Sequence, residues 1–322
     1  MSWKSLEQQS FAHSFLVDHE ALHELDDVNA LIDWSKIESL LADIHSSKRG
    51  EPAWPPLLMF KAMLLQSWYK LSDPGLEKQL ARDLLFRRFI DLDIAESVPD
   101  HSTLWRFRQL LESHDLMSLL LEEVNTQLIE QSLYIQSGEV SIIDASVIEA
   151  QQCRPNKRKD GSNTQDPEAA WNVKTGSDGK RKSTYGFKAH INVEEDGLIK
   201  AVDYTAGNVH DSNCFIDLLS GTESAAYADS AYPSEEHNHW LSEHSIENRL
   251  IKRAYRNRPL TKEDKRFNRL HSGVRCTVER VFGVLKQHYA MGKARYLGLA
   301  RNRTRFELMC IAYNMKRGVA LQ

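Results

Sequence analysis

The chain has 322 residues, of which 41% are hydrophobic and 27% charged, which is enough for roughly two domains with full cores. It holds no apolar run of about 18 residues, and its N-terminus lacks the basic-then-apolar order of a secretory signal, so we expect a cytoplasmic protein. The four cysteines form no C-x-x-C pair and therefore indicate neither a zinc site nor a disulfide framework.

The formal net charge of −4 conceals an asymmetry along the chain. Residues 249–322 contain 19 Lys and Arg against 4 Asp and Glu, a net of +15, so the first 248 residues carry −19. Such a concentration of positive charge predicts a segment that binds polyanions. A charge run is also common on a solvated face, so the motifs must decide between the two interpretations.

The first 135 residues predict an all-α domain, because apolar residues recur at three- and four-residue steps. A helix that begins at a proline is favoured where an acidic or small polar residue precedes it. The predicted helices cover 28–44, the apolar stretch after Pro55 and Pro56, residues 75–89 after a start signal at Asp73-Pro74, and 103–112 after a start signal at Pro99-Asp100.

The last of these helices has two arginines whose placement bears on function. Leu104, Phe107 and Leu111 predict its buried side, and Arg106 and Arg108 lie nearer the other side. Two short helices joined in this way resemble a helix-turn-helix. Both arginines are therefore candidates for DNA contact, although helix surfaces carry arginines routinely.

From residue 136 the pattern changes to short β-rich runs that alternate with helices. Predicted strands lie at 140–150, 185–195, 198–207, 225–232 and 248–254, with helices near 211–219, after 232 and through the basic C-terminal segment. Three strands followed by helix, strand and helix is the order of a ribonuclease-H-like mixed sheet. We therefore expect an α/β catalytic domain at 136–322, with a basic, mobile insert at about 152–183, after a helical domain at 1–135.

Three separated carboxylates are the candidate catalytic and metal-binding residues. Asp144 follows the apolar run of VSIID, Asp229 follows that of YADSAY, and Glu279 lies beside the apolar stripe of the helix TVERVFGVLKQHY. A carboxylate on a buried strand is costly unless a cation pairs with it. Each acid alone has an ordinary structural explanation, but together they provide the oxygen ligands that Mg²⁺ or Mn²⁺ needs for two-metal phosphoryl transfer.

Two cations share the helical face of Glu279. Arg275 lies four residues before it and Lys286 seven after it, so at 3.6 residues per turn all three point in similar directions, toward one phosphate. They fit the R-x3-E-x6-K part of the Y-x2-R-x3-E-x6-K signature of DDE insertion-sequence transposases. Ser272 stands where that signature has its tyrosine, which removes the aromatic hydroxyl from this helix.

The sequence resembles the bacterial insertion-sequence transposases of the insertion-sequence-five group, within the insertion-sequence-four-like DDE class. The blocks that carry the resemblance run through most of the chain in the family's order: PPLLMFKAMLLQSWYKLSDPGLEKQL, LLFRRFIDLD, VPDHSTLWRFRQLL, IIDASVIEAQ, RPNKRK, DPEAAWNVK, YGFKAHI, TAGNVHDS, YADSAY and VERVFGVLK.

The resemblance implies a ribonuclease-H-like domain with Asp144, Asp229 and Glu279 as its acids, and a cut-and-paste type of transposition. It implies Mg²⁺ as the cofactor, with Mn²⁺ as a substitute. The partners would be the terminal inverted repeats of the element and a target DNA. Because two ends must be brought together, we expect a homodimer on DNA, in the bacterial cytoplasm and at the nucleoid when DNA is bound.

Further cations are candidates for phosphate contact. Lys188 and His190 alternate on one strand face, where both could aim at the phosphate backbone or lie at an exposed sheet edge. The basic run at 249–269, which includes Arg253 and Arg256, leads directly into the helix of Glu279. Phosphate contacts of this kind would position DNA without reading its sequence.

The sequence leaves the roles of three other residues undecided. Trp171 could stack on an exposed base or anchor the insert. His210 and Asp211 could form a dyad or bind metal, but Asp211 is better explained as the cap of the following helix, with His210 at a loop edge. For the whole chain, the rival functions are a metal-dependent nuclease without strand transfer, a domesticated DNA-binding protein, and an RNA-cleaving enzyme.

Overall fold

The first part of the chain forms helices, as its apolar spacing predicts. The computed structural model describes residues 3–4, 6, 16–42, 44, 52–133, 140–152, 165–175, 179–255 and 258–322. Its helices in this part are a 3₁₀ helix at Glu20–His23, α1 Asp26–Leu31, α2 Trp34–Leu41, α3 Pro56–Trp68, α4 Asp73–Arg82, α5 Leu84–Phe89, α6 His101–Ser113 and α7 Leu116–Glu130.

Two of the predicted helices are each divided in two by an aspartate. Asp33 is extended, and its carboxylate accepts the backbone N–H of Ser35 at 3.0 Å, which starts α2 anew. Asp83 does the same for α5, accepting the N–H of Leu85 at 2.9 Å. Aspartate side chains compete with the helix backbone for hydrogen bonds, and this local effect outweighs the apolar periodicity that predicted continuous helices.

The α3 helix is the centre of the helical unit. Ten consecutive residues, 58–67, are buried, which confirms the prediction from its all-round apolar sequence. The compact unit comprises Met1–Glu130 and also Glu307–Gln322. Within it, the Trp68 indole donates to the Ala312 carbonyl at 2.9 Å and Asn314 donates to Asn125 at 2.7 Å.

The second compact unit, Gln131–Phe306, is built on a six-stranded sheet. Its end differs from the predicted domain at 136–322, because buried apolar residues at the end of the last helix cluster with the helical unit. Its elements are β1 Val140–Glu149, β2 Ala170–Thr175, β3 Arg181–Val193, β4 Ile199–Ala206, β5 Ala225–Tyr227, α8 Glu235–Glu243, β6 Glu247–Asn248, α9 Lys262–His288 and the first part of α10 Leu299–Val319, with 3₁₀ helices at Asp211–Cys214 and Ile216–Leu218.

The sheet is mixed, with strand order β2-β3-β1-β5-β6 and β4 also paired to β3. β3 runs antiparallel to β1, β2 and β4, whereas β5 lies parallel to β1 and β6. This arrangement confirms the α/β, ribonuclease-H-like fold class predicted from the order of strands and helices. The central strand β1 thus has a partner of each direction.

Three predicted elements are shorter than expected, and the described part of the insert includes a strand, β2. The strand predicted at 225–232 ends at Tyr227, the one at 248–254 has two residues, and the helix at 211–219 is a pair of 3₁₀ helices. Within the insert, β2 pairs with the start of β3, so its polar backbone finds hydrogen-bond partners there. Residues 153–164 and 176–178 of the insert lie outside the described residues.

One glycine fixes where the strands meet. Gly186 of β3 lies opposite Glu149 of β1 and Ala170 of β2. A Cβ atom at this position would lie 1.9 Å from the Ile148 carbonyl oxygen, so no larger residue fits without moving the backbone. None of the described helices is long and apolar enough to cross a membrane.

Candidate active site

The parallel pairing of β1 with β5 brings two of the predicted acids side by side. The last described pair in this register is Ile142 with Tyr227, and Asp144 and Asp229 each follow two residues later. Asp229 therefore lies just beyond the end of β5 rather than within it. Its carboxylate accepts the backbone N–H of Ala231 at 2.7 Å, which fixes the turn after the strand.

The third acid is carried by α9. Thr261 and Asp264 form a reciprocal capping box at the start of this helix, and Val278, Val281, Phe282 and Leu285 form the buried stripe that the sequence predicted. The helix packs against β1. Glu279 lies beside the stripe with its side chain 59% exposed, so it can reach the sheet from the helix surface.

Arg275 joins the strand and the helix. Its Nη2 atom lies 3.8 Å from Oδ2 of Asp144 and 3.8 Å from Oε1 of Glu279. The side chain is only 17% exposed, and its buried Nε has no hydrogen-bond partner among the residues that the structure describes. The structure thus gathers two of the three predicted acids around one guanidinium group, with Asp229 just beyond the end of the adjacent strand β5.

The electrostatics of Asp144 differ from those of a surface carboxylate. Burial raises its pKa to about 6; the Ala145 N–H, which donates at 2.8 Å, and the nearby Arg275 oppose this rise. Asp229 and Asp211 raise the pKa further, because a like charge disfavours ionisation. Asp144 therefore lies among acids that a cation would stabilise, as expected for a metal ligand.

In the described part of the chain, no three His, Cys, Asp or Glu side chains lie close enough together to hold a metal ion as they stand. The cation that lies between Asp144 and Glu279 is instead the Arg275 guanidinium. The donor chemistry nevertheless fits a hard divalent ion, because all three predicted ligands are carboxylates. The three acids thus come from the expected elements, but their carboxylates are too far apart in this structure to hold one metal ion together.

Two family models cover most of the chain. Residues 15–110 match the model described as "Transposase domain (DUF772)", and residues 135–315 match the one described as "Transposase DDE domain". The second match spans more than half of the chain and includes all three acids. The chain belongs to the DDE transposases. It is therefore an enzyme of DNA transposition and recombination whose partner is DNA, in a family that depends on a divalent metal, typically Mg²⁺.

Sequence reasoning missed the buried polar groups behind the acids of this transposase. Burial raises the pKa of Tyr232, and the neighbouring charges of Asp144, Asp211 and Asp229 raise it further. Its buried hydroxyl has no hydrogen-bond partner within the described ranges. The only signal for Tyr232 was its place three residues after Asp229 in YADSAY, which is equally typical of a core aromatic residue.

The expected role of Asp211 as a helix cap is wrong. The cap is His210, whose Nδ1 accepts the backbone N–H of Ser212 at 3.3 Å. Asp211 instead points inward and pairs with Lys188 at 2.6 Å, with both side chains largely buried. A histidine ring and an aspartate can both cap a helix, so the sequence alone did not distinguish them.

The predicted phosphate contacts of Lys188 and His190 are also wrong. The two residues do share a strand face, but that face is covered by the protein. Lys188 donates to the Val209 carbonyl at 2.5 Å as well as pairing with Asp211, and His190 is hydrogen-bonded to Thr205 at 2.8 Å. Burial lowers the pKa of His190, which favours the neutral ring.

Lys286 lies exposed on α9, within electrostatic reach of Asp144. Partial desolvation of its ammonium group lowers its pKa, and so do the nearby charges of Lys174 and Lys182. Those two lysines face each other across β2 and β3. The cationic surface beside the acids therefore includes residues of the insert that lie on β2 and β3, where the sequence predicted a loop.

The basic run before α9 is partly neutralised and partly exposed. Lys252 pairs with Asp264 at 2.8 Å and Arg249 pairs with Glu247 at 2.5 Å. Arg253 is exposed, and Arg256 lies outside the described residues. Ser272, at the signature's tyrosine position, is exposed and donates to the Arg269 carbonyl at 3.2 Å, so it makes no contact with the acids.

In the helical unit, the two arginines of α6 have opposite environments. Arg106 is exposed, as predicted. Arg108 is 4% exposed and donates to both carboxylate oxygens of Asp73 and to Gln66, so its predicted DNA contact is wrong. Arg108 lies one helical turn after the buried Leu104, which places it on the packed face.

Proposed function

We propose that this DDE transposase binds the terminal inverted repeats of an insertion sequence, cleaves DNA strands and transfers the freed 3′ end to target DNA. The observation that carries the proposal is the meeting of Asp144, from a central strand, with Glu279, from α9, around one cation. Asp229, two residues beyond the end of the adjacent strand β5, is the third acid of the set. The insertion-sequence-five group is compatible with both family matches.

Asp144, Asp229 and Glu279 would hold the divalent metal. Bound Mg²⁺ or Mn²⁺, in a two-metal arrangement, would supply charge stabilisation for the attacking and leaving oxygens of phosphoryl transfer. Most of the Asp144 side chain is shielded from solvent, with 20% of it exposed. The exposed Glu279 and Lys286 lie on the same side of α9, where a scissile phosphate can approach from solvent.

A basic ridge on α9 supports DNA binding by the catalytic unit. Lys262, Arg266, Arg269 and Arg280 are all exposed. At 3.6 residues per turn they fall within an arc of roughly 60° and span about 27 Å of the helix. By the same geometry, Glu279 lies about 80–140° around the helix from these residues. We propose that the ridge and Arg253 hold the DNA backbone along α9, on the face next to that of the acids.

For the helical domain at about 1–135, we propose binding to the element ends and dimerisation. Arg106 remains exposed on α6 and is available for a phosphate or groove contact. The neighbouring Trp105 is exposed too, at 41% of its surface. A homodimer would bring two element ends together, as a cut-and-paste reaction needs.

The test is cleavage of a terminal-repeat duplex by the full-length protein with Mg²⁺. Asp144→Ala, Asp229→Ala and Glu279→Ala should each abolish cleavage, because each removes a metal ligand, and should leave duplex binding largely intact. Glu263→Ala is the matched control, since Glu263 is an exposed acid in the first turn of the same helix. Retained cleavage in any of the first three variants would overturn the site assignment.

A plasmid assay separates transposition from simple hydrolysis. With a pre-cleaved terminal repeat and a target plasmid, a transposase yields joined products, whereas a metal-dependent nuclease yields only nicked plasmid. A domesticated DNA-binding protein would give neither product and would show no carboxylate-dependent metal binding. Joined products that require all three acids would support the proposed function over each alternative.

A further inference from the structure

Arg275 occupies a position that a metal ion would need. Its Nη2 atom is 3.8 Å from an oxygen of Asp144 and 3.8 Å from an oxygen of Glu279. Magnesium holds carboxylate oxygens at only about 2.0–2.1 Å and tolerates little distortion. One ion therefore cannot contact both acids while the guanidinium remains between them.

Among the described residues, the guanidinium is held in this position by charge, since no hydrogen bond of Arg275 is found there. Both contacts are longer than the roughly 2.7–3.2 Å of a hydrogen bond. The buried Nε–H has no partner in the described part of the chain, and an unsatisfied buried donor is unfavourable. Arg108 shows the contrast, because its side chain is 4% exposed against 17% for Arg275 and it donates at 2.7 Å and 3.0 Å. A side chain that is held as weakly as Arg275 can be displaced at a low cost in free energy.

The surrounding charges explain why a cation belongs there. Asp144 lies near both Asp229 and Asp211, and Lys188 already pairs with Asp211. Arg275 is the one cation within the described residues that pairs with both Asp144 and Glu279. A divalent ion carries twice the charge of the guanidinium and can come closer, so it competes effectively for the same oxygens.

We propose that Arg275 is a placeholder for the metal: in the metal-free protein its guanidinium bridges Asp144 and Glu279, and a divalent ion displaces it. This inference rests on the proposed function, because it uses the same acids as metal ligands. Displacement frees a cation on the helical face of Glu279 and Lys286, where it can meet a phosphate. Metal binding and the release of a phosphate-binding group are thereby coupled through one side chain.

The test measures Mn²⁺ binding to the full-length protein by titration calorimetry without DNA. Arg275→Gln removes the competitor, so we expect about tenfold tighter Mn²⁺ binding, equivalent to about 1.4 kcal/mol. Lys286→Gln is the matched control, because it removes a positive charge near Asp144 without removing a bridge between the acids. We expect a clearly smaller gain for Lys286→Gln than for Arg275→Gln.

A measurement on the wild-type protein covers the case in which Arg275→Gln folds poorly. The arginine Nε–H signals in NMR spectra report the environment of each guanidinium group. On addition of Mg²⁺, the protected signal of Arg275 should begin to exchange rapidly with water, whereas that of Arg108 should not change. The Arg275 signal is identified as the one that is missing from the spectrum of Arg275→Lys, which is titrated with Mg²⁺ in the same way.

The opposite results are equally clear. Four results would each overturn the proposal that Arg275 is a placeholder. They are equal or weaker Mn²⁺ binding by Arg275→Gln, an equal gain in Lys286→Gln, no Mn²⁺ binding by the wild-type protein or by Arg275→Gln, and an Arg275 signal that stays protected. If the wild-type protein still cleaves and joins DNA with all three acids required, the proposed function stands while this inference fails. If cleavage does not need the acids, the function itself fails.

Discussion

Arg106 and Arg108 are two residues apart on α6 and provide a sharp test of what burial does to an arginine. Arg108→Met keeps the aliphatic length of the side chain but removes a guanidinium that donates to Asp73 at 2.7 Å and 3.2 Å and to Gln66 at 3.0 Å. Arg106→Met removes an equal charge from the exposed side of the same helix. The pair therefore separates a folding role from a DNA-binding role.

The expected cost follows from these contacts. Removing one partner of a buried ion pair costs about 3–5 kcal/mol, because the other charge remains buried. The Asp73 side chain keeps 16% exposure and still accepts from Gln66 at 2.6 Å, so we expect about 3 kcal/mol for Arg108→Met. Surface substitutions usually stay within about 0.5 kcal/mol, which is the expectation for Arg106→Met.

Urea unfolding followed by circular dichroism measures both free energies, and fluorescence anisotropy measures binding to a terminal-repeat duplex. Arg108→Met should lower stability without a specific loss of affinity in the folded protein. Arg106→Met should leave stability unchanged and weaken binding. Equal unfolding free energies for the two variants would refute the assignment of Arg108 to the core of the helical unit.

Three more predictions concern the catalytic unit. Burial raises the pKa of Asp144 from 3.8, the value of an unperturbed aspartate, to about 6 in the folded protein, so the free energy of unfolding should fall by up to about 3 kcal/mol as pH rises from about 4 to 6. In urea titrations with EDTA, Asp144→Asn should flatten that fall, and an unchanged slope would contradict the burial of Asp144 as its cause. Lys188→Met should lower the free energy of unfolding by about 3 kcal/mol, because it leaves Asp211 buried without its cation. Adding Asp211→Asn should recover most of this loss in thermal melts, and no recovery would mean that the broken ion pair is not its cause. Arg266→Gln with Arg269→Gln should reduce the slope of log affinity against log salt by about 2, measured by anisotropy, whereas the same slope as wild type would remove the ridge from the DNA interface.

The sequence predicted much of the architecture because many helices and strands are determined by residues that are close together in the chain. The apolar spacing of α3, the start signal at Asp100 and the buried stripe of α9 depend on residues within a few turns of each other. The order of strands and helices predicted the mixed sheet, and its fold class is confirmed. Asp33 and Asp83, which divide predicted helices, also act locally, but their caps compete with an apolar pattern that favours continuity.

The choice of three acids also came from sequence, through the spacing of Arg275, Glu279 and Lys286 and the order of the family-like blocks. What the sequence did not reveal is which polar side chains are buried. Lys188 and Arg108 looked like surface cations, and their partners lie 23 and 35 residues away in the chain, at Asp211 and Asp73. Such pairings depend on the packing of distant elements, so no local pattern contains them.

Only the tertiary structure decided how the acids are arranged. The register of β1 with β5 aligns Asp144 with Asp229, and the packing of α9 on the sheet brings Glu279 and Arg275 to the same place. The sequence by itself determined that this chain has three carboxylates and a nearby arginine in the order that the DDE transposases share. That the arginine lies between two of them follows from the packing of α9 against β1, because Asp144 and Arg275 are 131 positions apart in the chain.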